Sequence, residues 1–184
     1  MGLFSNIFPR KELTIEPIDL SFLRNDIHSH LIPGIDDGSP DMETTIILLK
    51  KFIDLGYKKV ITTPHIMSDY YKNTPEIILS GLDKVKAEII KNNLDIEIEA
   101  AAEYNLEPEF EDLLEKNNFL TFGLEKYLLF ELSFFDEPPR VNDIIWKMRE
   151  KGVIPVLAHV ERYAYWHKDY DKIEEMINRG VKLQ

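Results

Sequence analysis

Two of the five histidines in this sequence stand two residues apart, in His28-Ser29-His30. Side chains two apart on a strand share a face, so both imidazoles can reach one cation. By itself the pair is also compatible with a structural role. Its setting adds weight. His65 follows Thr63-Pro64, Glu103 follows Ala101-Ala102, Glu131 lies between Phe130 and Leu132, and His159 follows Ala158. Each stands at or near the end of a short apolar run. Taken singly, His65 or His159 reads as a satisfied core histidine, and Glu131 as a solvated charge. Five run ends that all supply imidazole or carboxylate point instead to metal binding, because desolvating several ionisable groups together is costly without cations among them.

Four further features lie close by in sequence. Asp36-Asp37-Gly38 follows His30 and reads either as a turn before a helix or as a carboxylate ligand carried over the strand ends. Asp26 is two residues before His28 and shares its face, so it either orients an imidazole or fills the interior. Arg162, three residues after His159, is either a surface arginine beside Glu161 or a two-pronged clamp on phosphate. Tyr70, Tyr71, Tyr104, Phe134, Phe135, Tyr163 and Tyr165 fall near the same run ends. Most read as packing, and some as walls of a cleft for an aromatic substrate. His167, in a polar stretch, reads as surface.

These groups have to be positioned by alternating elements. Strand-like apolar runs cover Asp26–His30, Val60–Pro64, Ile96–Ala102, Tyr127–Leu132 and Val153–Val160, and a sixth begins at Val181. Such runs suit parallel strands buried on both faces. Helical patterns lie between them. Ser39 is placed to cap the first, with Pro40 in its first position, Ile46, Leu49 and Ile53 inward, and Gly56 past its end. Thr74 and Pro75 start a second, with Ile78, Leu82, Val85 and Ile89 inward. Others fit Glu107–Asn117, Arg140–Lys151 and Tyr170–Arg179. Alternating strand and helix predicts an α/β fold with a parallel sheet, open or closed into a barrel, whose site lies at the carboxyl ends of the strands.

Composition narrows the function. The 184 residues are enough for one domain with a sizeable core. Net charge is −11, which disfavours nucleic acid as a partner and would repel phosphate unless cations gather at the site. Cysteine is absent, so a disulfide, a thiolate metal site and a phosphocysteine intermediate are all excluded. The lack of cysteine fits the cytoplasm. No run of the sequence is long and apolar enough to span a bilayer, and no secretory signal is recognisable. Residues 1–24 read as a tail. Its Phe4, Ile7 and Phe8 precede a basic Arg10-Lys11 pair and either pack on the domain or touch a membrane or partner. The start Met1-Gly2-Leu3-Phe4-Ser5-Asn6 fails the myristoylation pattern at Asn6.

Asp26-Ile27-His28-Ser29-His30, Asp36-Asp37-Gly38, Thr63-Pro64-His65, Glu103, Glu131 and His159-Val160-Glu161-Arg162 together resemble the polymerase-and-histidinol-phosphatase (PHP) superfamily. The resemblance runs from about Asn25 to the end and is strongest to the bacterial protein-tyrosine phosphatase branch that regulates capsule and exopolysaccharide. It implies a distorted, TIM-like (β/α)7 barrel with up to three divalent ions, manganese, iron or zinc. His28, His30, Asp37, His65, Glu103, Glu131 and His159 would be ligands, with Glu103 bridging two ions, and Arg162 would bind phosphate. It further implies hydrolysis of phosphotyrosine on a protein, a bacterial tyrosine kinase, by metal-activated water. Two departures stand out. Val160 occupies a position where many relatives have proline. The sequence also stops as its sixth strand begins, before the family's final Asp-x-His, so residues 25–184 are expected to be an incomplete PHP domain. Two other readings compete: a different metallohydrolase, phosphoesterase or amidohydrolase-like, and a binding module that keeps the fold without the chemistry.

Overall fold

The computed structural model describes residues 21–184. The apolar positions Phe4, Ile7 and Phe8 of the expected tail lie outside the described residues. From Asn25 the chain alternates strand and helix. The strands are β1 (Asn25–Ser29), β2 (Lys59–Thr62), β3 (His65–Ile66), β4 (Glu97–Ala100), β5 (Glu103–Asn105), β6 (Tyr127–Glu131), β7 (Ile154–Leu157) and β8 (Lys182–Leu183). The helices are α1 (Met42–Asp54), α2 (Pro75–Lys91), α3 (Pro108–Glu115), α4 (Val141–Glu150) and α5 (Tyr170–Asn178).

The strands form two parallel sheets, β1-β2-β4 and β3-β5-β6-β7-β8. Two of the expected strands are each interrupted once, so that β2 resumes as β3 and β4 resumes as β5. The first interruption falls at Thr63-Pro64, where proline has no N–H to give the ladder. Backbone bonds carry the chain across both gaps: Ala101 N–H donates to Thr62 O at 2.9 Å, and Glu103 N–H to Pro64 O at 3.1 Å. Among the described residues β1 and β8 do not pair, and the closed seven-fold barrel that was expected is not found. Their carboxyl ends nevertheless converge, since the Gln184 side chain after β8 meets His28 on β1 at 2.9 Å.

Burial follows the pleat. Val60 faces a core shared with Leu49 of α1 and Leu82, Val85 and Ile89 of α2, whereas its neighbour Ile61 faces Ala101, Leu129 and Val156 on the other side. Leu128 and Phe130 flank Leu129 and pack outward with Phe110, Ile144, Ile145 and Met148. β2 and β6 are thus apolar on both faces, which is why they read as continuous apolar runs.

One predicted cap is corrected. Asp41, not Ser39, caps α1, accepting from Thr44 N–H at 2.8 Å, and Pro40 precedes the helix. Ser39 is buried instead. Its N–H donates to His30 O at 3.0 Å and its hydroxyl to Asp41 O at 2.9 Å, so it ties the loop down rather than starting the helix. Gly56 ends α1 with φ +90°, a conformation in which a side chain would be strained. Thr74 and Pro75 start α2 as read from the sequence.

Leu49 is fully buried between α1 and the sheet. Leu49→Ala is expected to destabilise the protein by about 2–5 kcal/mol, read as a lowered urea midpoint with unchanged slope. A midpoint within error of the wild type would contradict this packing.

Candidate metal centre

The strands bring the predicted residues to one place. His28 lies in β1 and His30 just beyond it, His65 opens β3, Glu103 opens β5, Glu131 closes β6, and His159 follows β7. All but Asp37 are at least four-fifths shielded. Side-chain exposure is 12–16% for the four histidines, 1% for Glu103 and 4% for Glu131, against 62% for Asp37. They line a cavity of about 760 Å³ together with Gly38, Tyr71, Phe134 and Arg162.

Glu103 is the hub. Its Oε2 lies 3.1 Å from His28 Nε2, 3.3 Å from His30 Nε2 and 3.4 Å from His65 Nδ1, and its Oε1 lies 2.8 Å from His159 Nε2. Glu131 sits 3.2 Å from His65 Nδ1 and 3.7 Å from His159 Nε2. Asp37 Oδ1 is 3.6 Å from His65 Nε2 and 3.8 Å from His30 Nδ1. The imidazoles follow one another in an arc, His65, His30, His28, His159, with ring centroids 4.6, 5.5 and 5.8 Å apart. Tyr71 stacks on His65 at one end, and Phe134 leans on His159 at the other.

Three overlapping triads have donor atoms close enough to share an ion: His28/His30/Glu103, His30/Asp37/His65 and His65/Glu103/Glu131. A buried polar atom supports the fit. His65 Nδ1 faces both glutamates yet has no hydrogen-bond partner among the described residues. A cation between these groups would occupy that gap and turn a crowd of costly buried charges into a coordination set.

Electrostatics in the metal-free protein reflect the crowding. Burial alone would lower His30, but hydrogen bonds to Asp36 and Glu103 outweigh it and raise its pKa to about 10. His28 and His65 are also raised, because Glu103 and Glu131 respectively outweigh burial. Burial would raise Glu103, yet hydrogen bonds from His159, His28 and His30 hold it well below the usual carboxylate range.

The structure separates residues that the sequence could only group. Asp36 is not a spare turn residue. Its side chain is fully shielded, with Oδ2 2.7 Å from His30 Nδ1 and 3.0 Å from His65 N. Gly38 lets the loop press against β1, since a Cβ there would lie 2.3 Å from that of His30. Among the described residues Asp26 makes no hydrogen bond to these imidazoles; it is half-buried, its Oδ2 has no hydrogen-bond partner, and burial raises its pKa. Arg162 is exposed and lines the cavity. Of the seven aromatics, Tyr71 and Phe134 line the cavity. Tyr104 and Tyr163 are fully buried and accept backbone N–H groups of Leu120 and Leu132, Tyr165 donates to Ser133 O, and Tyr70 and Phe135 point to solvent. His167 is exposed, as read. Gln184, which no sequence signal singled out, also lines the cavity.

Parallel α/β architecture with imidazoles and carboxylates gathered at one edge of the strands defines an α/β protein whose candidate site lies where the strands end. The chain belongs to the CpsB/CapC family of capsular polysaccharide synthesis, which matches residues 24–184. It is 28% identical over 159 residues to the tyrosine-protein phosphatase YwqE of Bacillus subtilis, covering 86% of this chain and 63% of that protein. It is 27% identical over 161 residues to the tyrosine-protein phosphatase CpsB of Streptococcus pneumoniae, covering 86% and 65%. A crystal structure from work on YwqE of B. subtilis and CpsB of S. pneumoniae, characterised as unique metal-dependent tyrosine phosphatases, matches with TM-score 0.81 at 28% identity. That match covers 87% of this chain and 65% of the other. The chain therefore spans somewhat less than two thirds of the length of these relatives. No helix among the described residues is long and apolar enough to cross a membrane.

The shifts set a pH profile for the metal-free protein. His30 titrates near 10 when folded, above its ordinary 6.5, so its contribution to stability is full below pH 6.5 and is lost as pH rises through 10. Glu103 and Asp36 are shifted downward, so their contribution is full above the ordinary carboxylate range and is lost as pH falls through their folded values. With chelator present, the urea midpoint is expected to decline from pH 6.5 towards 10, and again below about pH 4. A midpoint that stays flat between pH 6.5 and 9 would show that the histidines are not held by these carboxylates.

Proposed function

We propose that this protein is a PHP-type hydrolase that removes phosphate from phosphotyrosine on a protein, with a bacterial tyrosine kinase of capsule or exopolysaccharide synthesis as its substrate. The observation that carries the proposal is the arc of four imidazoles around Glu103, with Glu131 and Asp37 closing three overlapping triads. Membership of a capsule-synthesis family and the names of the relatives point the same way. In this reading the described sheets are part of a distorted (β/α)7 barrel, and residues 25–184 belong to one phosphatase domain.

His28, His30, Asp37, His65, Glu103, Glu131 and His159 would hold up to three manganese, iron or zinc ions, with Glu103 shared between two. Such ions supply an acidified water and positive charge opposite the phosphoryl oxygens. Arg162, on the cavity wall beyond His159, adds a planar fork that matches two of those oxygens. Tyr71 and Phe134 offer apolar ring faces at the two ends of the arc, where the leaving phenol can lie. These 184 residues hold no cysteine, which fits direct attack by water rather than by a thiol.

Turnover of a phosphotyrosine peptide with added manganese is expected to be chelator-sensitive. His28→Ala and Glu131→Ala should each lower kcat/KM by at least about 100-fold, and Arg162→Ala should lower kcat by about 100- to 1,000-fold. Intact turnover in His28→Ala or Glu131→Ala would overturn the proposal. Cleavage of amides with phosphopeptides untouched would favour an amidohydrolase, and absence of bound metal would favour a binding module.

A further inference from the structure

Adjacent carboxylates at Asp36 and Asp37 face the same histidines and differ in almost everything else. Asp37 is 62% exposed, and its nearest imidazole nitrogens are 3.6 and 3.8 Å away. Asp36 is fully shielded, and its carboxylate accepts three hydrogen bonds: Oδ2 from His30 Nδ1–H at 2.7 Å and from His65 N–H at 3.0 Å, and Oδ1 from Gly38 N–H at 3.0 Å. A carboxylate can only accept, so the His30 nitrogen that meets it carries the proton.

His28 has a matching outer partner. Gln184 Oε1 lies 3.0 Å from the backbone N–H of His159, which identifies that atom as the acceptor oxygen. The same oxygen lies 2.9 Å from His28 Nδ1, so this nitrogen too must donate. Both strand histidines are therefore held with Nδ1–H pointing outward and Nε2 inward. The two Nε2 atoms are 3.4 Å apart and lie 3.1 and 3.3 Å from the same oxygen of Glu103.

We infer that Asp36 and Gln184 are positioning residues that fix His28 and His30 in the Nδ1–H tautomer and so present both Nε2 atoms to one cation beside Glu103. The inference rests on the metal-centre reading above. Asp36 does double duty, because its bond to His65 N–H also sets where the third histidine starts its strand. A hydrogen bond from the outer nitrogen orients a metal-bound imidazole and strengthens it as a ligand, and its loss typically costs 10- to 100-fold in metal affinity.

Zinc is the probe, being diamagnetic and suited to this donor set. In the zinc-loaded wild type, long-range proton–nitrogen spectra should show His28 and His30 protonated at Nδ1 and coordinated through Nε2. Asp36→Ala removes the acceptor of the His30 and His65 bonds altogether. It should bind zinc about 10- to 100-fold more weakly in chelator competition and change the His30 ring pattern. Gln184→Ala should change the His28 pattern. Asp37→Asn should weaken zinc binding and leave the His30 tautomer as it was. Coordination of His28 or His30 through Nδ1 in the wild type overturns the inference without need of a variant, which covers the case in which Asp36→Ala does not fold. Unchanged zinc affinity and an unchanged His30 pattern in folded Asp36→Ala overturn it as well. If the wild type binds no zinc, the metal-centre reading falls and takes this inference with it, whereas wild-type binding matched by Asp36→Ala sinks the inference alone.

Discussion

The structure turns on one buried carboxylate. Glu103 is 1% exposed and has four imidazole nitrogens, from three separate chain segments, within 3.4 Å. A carboxylate so placed is costly unless positive charge surrounds it. In the metal-free protein His30, its pKa raised to about 10, supplies such charge, and cations would supply it by displacing protons. The −11 net charge sharpens the requirement, since the rest of the chain adds no positive field of its own.

Local geometry serves this hub. The interruptions between β2 and β3, and between β4 and β5, look like defects in two strands. They fall immediately before His65 and Glu103, and the two residues are register partners after the gaps. Breaks of this kind re-aim side chains at the edge of a sheet, as bulges do. His159 adds a sharper bend. It has left-handed backbone angles, φ +35° and ψ 55°, unusual for a residue with a Cβ. Its N–H is held by Gln184, and its carbonyl accepts from Arg162 N–H at 2.9 Å. The tight turn that results sends the chain from β7 into a short 3-10 turn, Val160–Arg162, and brings Arg162 back to the cavity wall. Strain of this sort persists where the surroundings over-determine it, which is typical of functional sites.

Much of this was legible in the sequence because the relevant rules are local. Two-residue periodicity placed His28 and His30 on one face, and apolar runs marked where strands end. Proline and threonine at 74–75 marked the start of α2. What was not legible depends on contacts distant in sequence. Ser39 reads as a helix cap until the bond from its N–H to His30 O is known. The interruption at Ala101-Ala102 carries no proline to announce it. Asp36 and Asp37 are chemically alike, and only the packing of the loop against β1, permitted by Gly38, decides which of them is buried. Gln184 lies 156 positions from His28, whose ring it meets, so no spacing rule could link the two.

The same distinction explains why the seven aromatics near the strand ends could not be sorted beforehand. A tyrosine at such a place packs well whether its hydroxyl satisfies the backbone or its ring faces solvent. Tyr104 and Tyr163 spend their hydroxyls on the N–H groups of Leu120 and Leu132, which commits them to the interior. Tyr71 and Phe134 lie beside the cluster, each against an imidazole, His65 for one and His159 for the other. The rings at the two ends of the arc answer to the core as well as to the histidines, since Phe134 also stacks on the buried Tyr163 and the Tyr71 carbonyl accepts from the N–H groups of Met67 and Asn73, so the apolar walls of the cavity are tied to the packing beneath its polar floor.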